Sequence, residues 1–161
     1  MAANQERERL AAAAALLIAA RSATLATIHA GAPHASLVTP ALAADGQPVL
    51  LLSDLAQHTR HLRASPACAL LAAGAAPGDN PQTAPRLCLS GQAHPVAAEE
   101  VRARFLEIHP YAMQYAGFAD FSFWKITVAT AQYIGGFANA AYLDFAALQH
   151  EISAQLSRAR G

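Results

Sequence analysis

Ala23–Ser53, ATLATIHAGAPHASLVTPALAADGQPVLLLS, constrains the fold more than any other stretch of the chain. Its apolar and β-branched residues are interrupted twice by turn chemistry, at Gly31-Ala32-Pro33 and at Ala44-Asp45-Gly46-Gln47-Pro48. Asp-Gly supports positive φ, and both connections are short. The pattern predicts strands over 22–30, 34–42 and 48–53, strung together as an antiparallel meander.

Ahead of the meander, residues 4–20 are rich in alanine and predict a helix of high intrinsic propensity. Behind it, Ser53 or Asp54 is placed to cap a helix running to about Arg63, with Leu55 and Leu62 on one face and Pro66 ending it. Ala67–Gly74 predicts a fourth, wholly apolar strand, Ala75–Pro85 a proline-rich loop, and Arg86–Val96 a fifth strand. Ala97–Ile108 predicts an amphipathic helix that buries Val101, Phe105 and Ile108, followed by a short helical piece through Tyr111–Ala116. Phe121–Ile134 is a sixth, bending strand; Gly135-Gly136 interrupts it and Phe137–Leu143 continues it. Asp144 is placed to cap a last helix in which Phe145, Leu148, Ile152 and Leu156 recur at helical spacing. The sum is a small barrel of the α+β class in one domain, with a helix at 1–20, the barrel at 20–143 and a helix at 144–161.

At 161 residues the chain is long enough to close one continuous core. Hydrophobic residues make up 54% and charged residues 14%, an apolar surplus that predicts burial against a partner, a second copy being the simplest. Lys+Arg and Asp+Glu balance at 11 each with no basic stripe, which argues against nucleic-acid binding. Cys68 and Cys88 sit in apolar runs without metal-ligand spacing and read as free thiols of a reducing compartment. LAAAAALLIAA, Leu10–Ala20, is too short to span a bilayer, and Glu6 and Glu8 break the basic flank of a signal peptide. The expected location is the cytoplasm, away from the membrane.

Between two apolar runs the chain crowds its donors: Ser53, Gln57, His58, Thr59, Arg60, His61 and Arg63. A strand running into a capped helix presents unpaired N–H groups at the positive end of the helix dipole, and these hydroxyl, imidazole and guanidinium groups would complete a phosphate cradle. Asp54 opposes that reading unless it turns away as a cap, and a solvated polar helix face is the alternative.

TLATIHAGAPHASLVTPAL, VLLLSDLAQHTRHLRASPACALL, APRLCLSGQAHPV and FWKITVATAQYIGGFANA, in this order, resemble the pyridoxamine 5′-phosphate oxidase-related, FMN-binding split-barrel family over about residues 20–145. The resemblance implies a six-stranded split barrel, a homodimer, and FMN at the dimer interface. It implies that the strand carrying Ser36 and Val38 runs along the flavin ring and that the Ser53 hydroxyl lies near the phosphate. The family's phosphate-binding Arg-Lys pair falls on Gln57 and His58, a loss of charge for which Thr59 and Arg60 would compensate. Arg86 falls where the oxidases place a glutamine, and a cation there would stabilise an anionic reduced flavin. The implied activity is oxidoreduction of a small molecule by the flavin, with no obligatory catalytic side chain.

The C-terminal arginine motif of true pyridoxamine phosphate oxidases has no match here, which argues against vitamin B6 as substrate. The Gly135-Gly136-Phe137 turn resembles a haem-utilisation branch of the same fold, and His150 is the corresponding candidate ligand. A cofactor-free binding module is the third reading, supported by Asp54 and the absent lysine. His58 and His61 lack a third ligand for zinc, and Phe121, Phe123 and Trp124 read as core or dimer contact, with pocket closure as the alternative.

Overall fold

The computed structural model describes residues 1–160, excluding the side chains of Ala2 and Arg160; the last residue of the final predicted helix, Gly161, lies outside the described residues. The elements in chain order are α1 (Ala2–Ala19), β1 (Ala23–His29), β2 (Ala32–Val38), β3 (Ala41–Leu42), β4 (Pro48–Ser53), α2 (Gln57–Ala64), β5 (Ala67–Ala73), β6 (Arg86–Pro95), α3 (Ala98–Ile108), β7 (Phe121–Ile134), β8 (Ala140–Leu143) and α4 (Phe145–Arg160). Short 3₁₀ turns at Pro81–Thr83 and Pro110–Gln114 complete the list.

The strands form one curled antiparallel sheet in the order β2-β1-β5-β6-β7-β4-β3, with β8 added on β7. Six long strands flanked by helices make the expected α+β split barrel. The expected meander forms only in part: β1 pairs with β2, and β3 with β4, Ala41 opposite Val49. But β2 and β3 lie at opposite ends of the sheet, and β4 pairs on its other side with β7, Val49 opposite Lys125 and Ser53 opposite Phe121. The predicted strand 34–42 is accordingly two strands, broken at Thr39-Pro40, where proline removes a ladder donor.

β7 pairs with β6 on one side and, on the other, with β4 near its start and β8 near its end, and it bends on the way. Its register with β6 slips between Ser90 and Gly91, which face Thr130 and Val128. A Cβ on Gly91 would collide with the Thr127 carbonyl oxygen, so only glycine allows the strands to approach this closely.

The main core joins Leu25, Leu70, Leu87, Leu89, Trp124 and Ile126 to α1 and α4, which contribute Ala13, Ala14, Leu17, Leu148 and Ile152. Alanine in α1 lets the helices lie close to each other and to the sheet. Asp144 Oδ1 accepts the Ala147 N–H at 2.8 Å, the predicted cap. A second cluster of Val49, Val101, Phe105, Ala112 and Phe123 lies under α3, with Ile108 only partly buried. Trp124 and Phe123 are thus core residues. Cys68 and Cys88 are free thiols, and burial pushes the Cys68 thiol up to about 11. Among the described residues no helix is long and apolar enough to cross a membrane.

Candidate functional site

The hairpin between β1 and β2 turns on Ala30 and Gly31, both at positive φ (50° and 77°), the twist a two-residue hairpin needs. The turn therefore precedes the expected Gly31-Ala32-Pro33, and Ala32 and Pro33 pair with His29 and Ile28. This register sets Thr27 opposite His34 and Leu25 opposite Ser36. By strand alternation Leu25, Thr27, His29, His34, Ser36 and Val38 share the inner face, and Thr24, Ala26, Ile28 and Leu37 share the outer one.

Helix α2 covers the inner face of this hairpin. It starts later than the sequence predicts, with Ala56 as N-cap and no side-chain cap. Neither Ser53 nor Asp54 can cap it, because both side chains have other partners. Ser53 Oγ donates to Asp120 Oδ2 at 3.0 Å and accepts the Leu55 N–H at 3.2 Å. Asp54 pairs with Arg63 at 2.6 Å. Leu55, expected on the buried face, lies before the helix and is 74% exposed; the buried residues of α2 are Thr59, His61 and Leu62.

The seam between α2 and the hairpin is built largely from histidine. His61 is 6% exposed, stacks on His29 with centroids 5.1 Å apart, and meets His34 edge-on at 5.2 Å. Its Nδ1 lies 3.0 Å from Thr27 Oγ1. One turn earlier, His58 Nδ1 lies 3.0 Å from Ser36 Oγ. Burial lowers the pKa of His58, with His34 and His61 adding to the effect. Desolvation, then His29 and His34, lowers that of His61. Low-dielectric surroundings and neighbouring imidazoles both disfavour the imidazolium at His58 and His61.

The nominated residues are thus only partly brought together. Ser36 and His58 are hydrogen-bonded, and Val38 is buried two residues further along β2. Thr59 is fully buried, and its Oγ1 is the one buried side-chain polar atom among the described residues with no partner. Arg60 is exposed and donates to the Leu55 carbonyl at 3.1 Å. Arg86 donates to the carbonyls of Gln82 and Ala84, tying the proline-rich loop to β6. His29 and His34 went unnominated because single histidines in strands carry no periodic signal; only the hairpin register reveals them.

The other histidines are separate. His109 is buried; its Nε2 donates to the Pro40 carbonyl at 2.8 Å, which leaves Nδ1 to accept from the Tyr111 hydroxyl at 3.1 Å. His150 is exposed on a cleft of about 520 Å³ between α1 and α4, beside Glu8 and Glu151. A second groove, about 240 Å³, lies between α1, β3, α3 and α4, and none of the nominated residues lines it. Among the described residues no three His, Cys, Asp or Glu side chains are placed to hold a metal ion.

The profile of the pyridoxamine 5′-phosphate oxidase family matches residues 10–135, which include the hairpin, α2 and the bent strand. The chain belongs to that family. Among curated relatives, a protein named non-canonical heme oxygenase HOZ, chloroplastic, from Arabidopsis thaliana is 39% identical over 120 residues, 73% of this chain and 36% of that protein. A heme-binding protein from Mycobacterium smegmatis superposes with a TM-score of 0.76 at 31% identity, over 89% of this chain and 60% of that one. The chain thus spans about a third of the plant relative and three fifths of the mycobacterial one. A pyridoxamine 5′-phosphate oxidase-like protein from Listeria innocua, TM-score 0.59 at 19% identity over 81% of this chain and 98% of that one, shares the fold alone.

Proposed function

We propose that this member of the family binds haem, and that the seam between α2 and the first hairpin is the part of the chain that meets it. The observation that carries this reading is the way the cations of the segment are used. A flavin phosphate favours uncommitted cationic donors, yet Arg63 is ion-paired with Asp54, and Arg60 and Arg86, which keep their charge, each direct a guanidinium nitrogen at backbone carbonyls. What the seam offers is imidazole whose charged form burial disfavours at His58 and His61, with the exposed side chain of Leu55 (74%) just ahead of α2. Imidazole nitrogens and apolar walls suit a flat metalloporphyrin better than a dianion. The names of the plant and mycobacterial relatives agree with this reading.

When bound, haem supplies a redox-active iron. The chain's part is to orient the macrocycle and exclude water from one face. FMN serving oxidoreduction of a small molecule is the competing reading, which family membership supports. A hemin titration followed by absorption, run beside an FMN titration followed by flavin fluorescence, separates the two. Haem binding predicts a saturable Soret change with FMN fluorescence unquenched. Saturable FMN quenching with no Soret response contradicts it, and silence from both ligands favours a cofactor-free module.

The outer face of β2-β1-β5 is apolar and small-residued, with Leu37, Thr24 and Leu71 in one cross-strand row and Ala35, Ala26 and Ala69 in the next. We propose a homodimer through this face, which would cover the exposed Ile28 and Leu37. Light scattering of the purified protein tests it: a dimer is expected, and a Leu37→Arg variant that stays dimeric contradicts this assignment.

A further inference from the structure

We infer that His58 would ligate the haem iron, held in place by Ser36; this rests on the haem reading above. An axial imidazole needs a lone pair on one nitrogen, an orienting partner on the other, and access from the surface. Each histidine can be tested against these requirements. His109 has both nitrogens engaged. His61 is 6% exposed, enclosed by His29 and His34 and bonded to Thr27. His29 and His34 pack on His61, but no hydrogen bond orients either ring. His94 is exposed and meets only Gln92, at 3.4 Å. His150 is exposed without an orienting hydrogen bond, in a cleft lined by Arg7, Glu8 and Glu151.

Within the seam His58 alone meets all three, and its hydrogen bond is shorter than the 3.4 Å contact of the exposed His94. It is half-buried at the start of α2, its Nδ1 is 3.0 Å from Ser36 Oγ, and its Nε2 has no hydrogen-bond partner. With the proton on Nδ1 donated to Ser36, the Nε2 lone pair is left for a metal. Ser36 is a positioning residue here: it fixes tautomer and ring plane and does not touch the iron. Ser36 and His58 are 22 residues apart in the chain, and the register of the hairpin brings them together.

The test is a hemin titration of the full chain, followed by absorption and electron paramagnetic resonance, with His58→Ala, Ser36→Ala and His150→Ala beside the natural sequence. The natural chain should show a histidine-ligated haem spectrum, and His150→Ala should match it. His58→Ala should lose that signature, and added imidazole should restore it. Ser36→Ala should keep the histidine signature with hemin affinity about 10-fold weaker. If the natural chain takes up no hemin, the haem reading fails and this assignment with it. If it takes up hemin and folded His58→Ala keeps the same spectrum and affinity, or His150→Ala loses them, haem binding stands and the ligand assignment is overturned. Should His58→Ala fail to fold, Ser36→Ala decides, and an unchanged affinity and resonance spectrum there overturn the pair.

Discussion

Helices α1 and α4 close the sheet with Ala13, Ala14, Leu17, Leu148 and Ile152, all at most 3% exposed, whereas α2 closes the hairpin with Thr59, His61 and Leu62. The first cover is held by apolar burial, which is non-directional and insensitive to pH. The second relies on hydrogen bonds and on rings that must remain neutral, so its strength depends on conditions. Burying polar groups is costly unless each finds a partner, and Thr59 Oγ1 finds none. The difference gives one region a cover that is indifferent to pH and the other a cover that depends on it.

The contrast can be broken at several points. The largest effect is expected at the bend that carries the sheet from one region to the other. Gly91→Ala would drive its Cβ into the Thr127 carbonyl, and a loss of about 4 kcal/mol or more, seen as aggregation or a collapsed Tm, is expected. Next comes the apolar cover: Leu148→Ala empties a fully buried site and should cost about 3 kcal/mol in chemical denaturation, equally at pH 5.5 and about pH 8. A strong pH dependence of that cost would blur the distinction.

The polar cover should respond to acid instead. His58 and His61 both have folded pKa values below the ordinary 6.5, so under acid the unfolded chain holds more protons than the folded one. Their contribution to stability is therefore complete above about pH 6.5 and is lost as pH falls below it. Amide exchange at about pH 5.5, corrected for intrinsic rates, should show residues 27–37 and 57–63 losing protection before α1 and α4 do. Uniform loss would mean that the two covers are one cooperative unit. The smallest effect has the opposite sign. Thr59→Val replaces an unpartnered buried hydroxyl with a methyl of the same shape and should stabilise by about 1 kcal/mol, a gain that thermal unfolding can resolve. A loss would indicate that the hydroxyl has a partner, such as a buried water.

Much of the apolar region was legible in the sequence. The Asp45-Gly46 turn, the strand over 48–53, the face of α4 and its Asp144 cap all follow local rules, and the structure contains each of them. What local rules miss is who pairs with whom. The β4–β7 ladder joins segments some 70 residues apart, and no spacing within either strand announces it. The candidate site was harder still. The donor-rich segment stood out by composition, but Ser53 and Asp54 are claimed by Asp120 and Arg63, which only the folded chain brings near. The seam itself pairs α2 with polar residues of a strand face, so hydrophobic periodicity could not mark it. Ser36 and His58 were both nominated, each for a flavin, and their mutual hydrogen bond was not foreseen.

The central claim is that haem meets the chain at the α2 seam. Amide hydrogen exchange at neutral pH, with and without one equivalent of hemin, tests it most directly. The account predicts new protection in residues 27–37 and 57–63 and none specific to α1 or α4. Protection centred on His150 and the α1–α4 cleft, or saturable binding that leaves the seam unprotected, would contradict it.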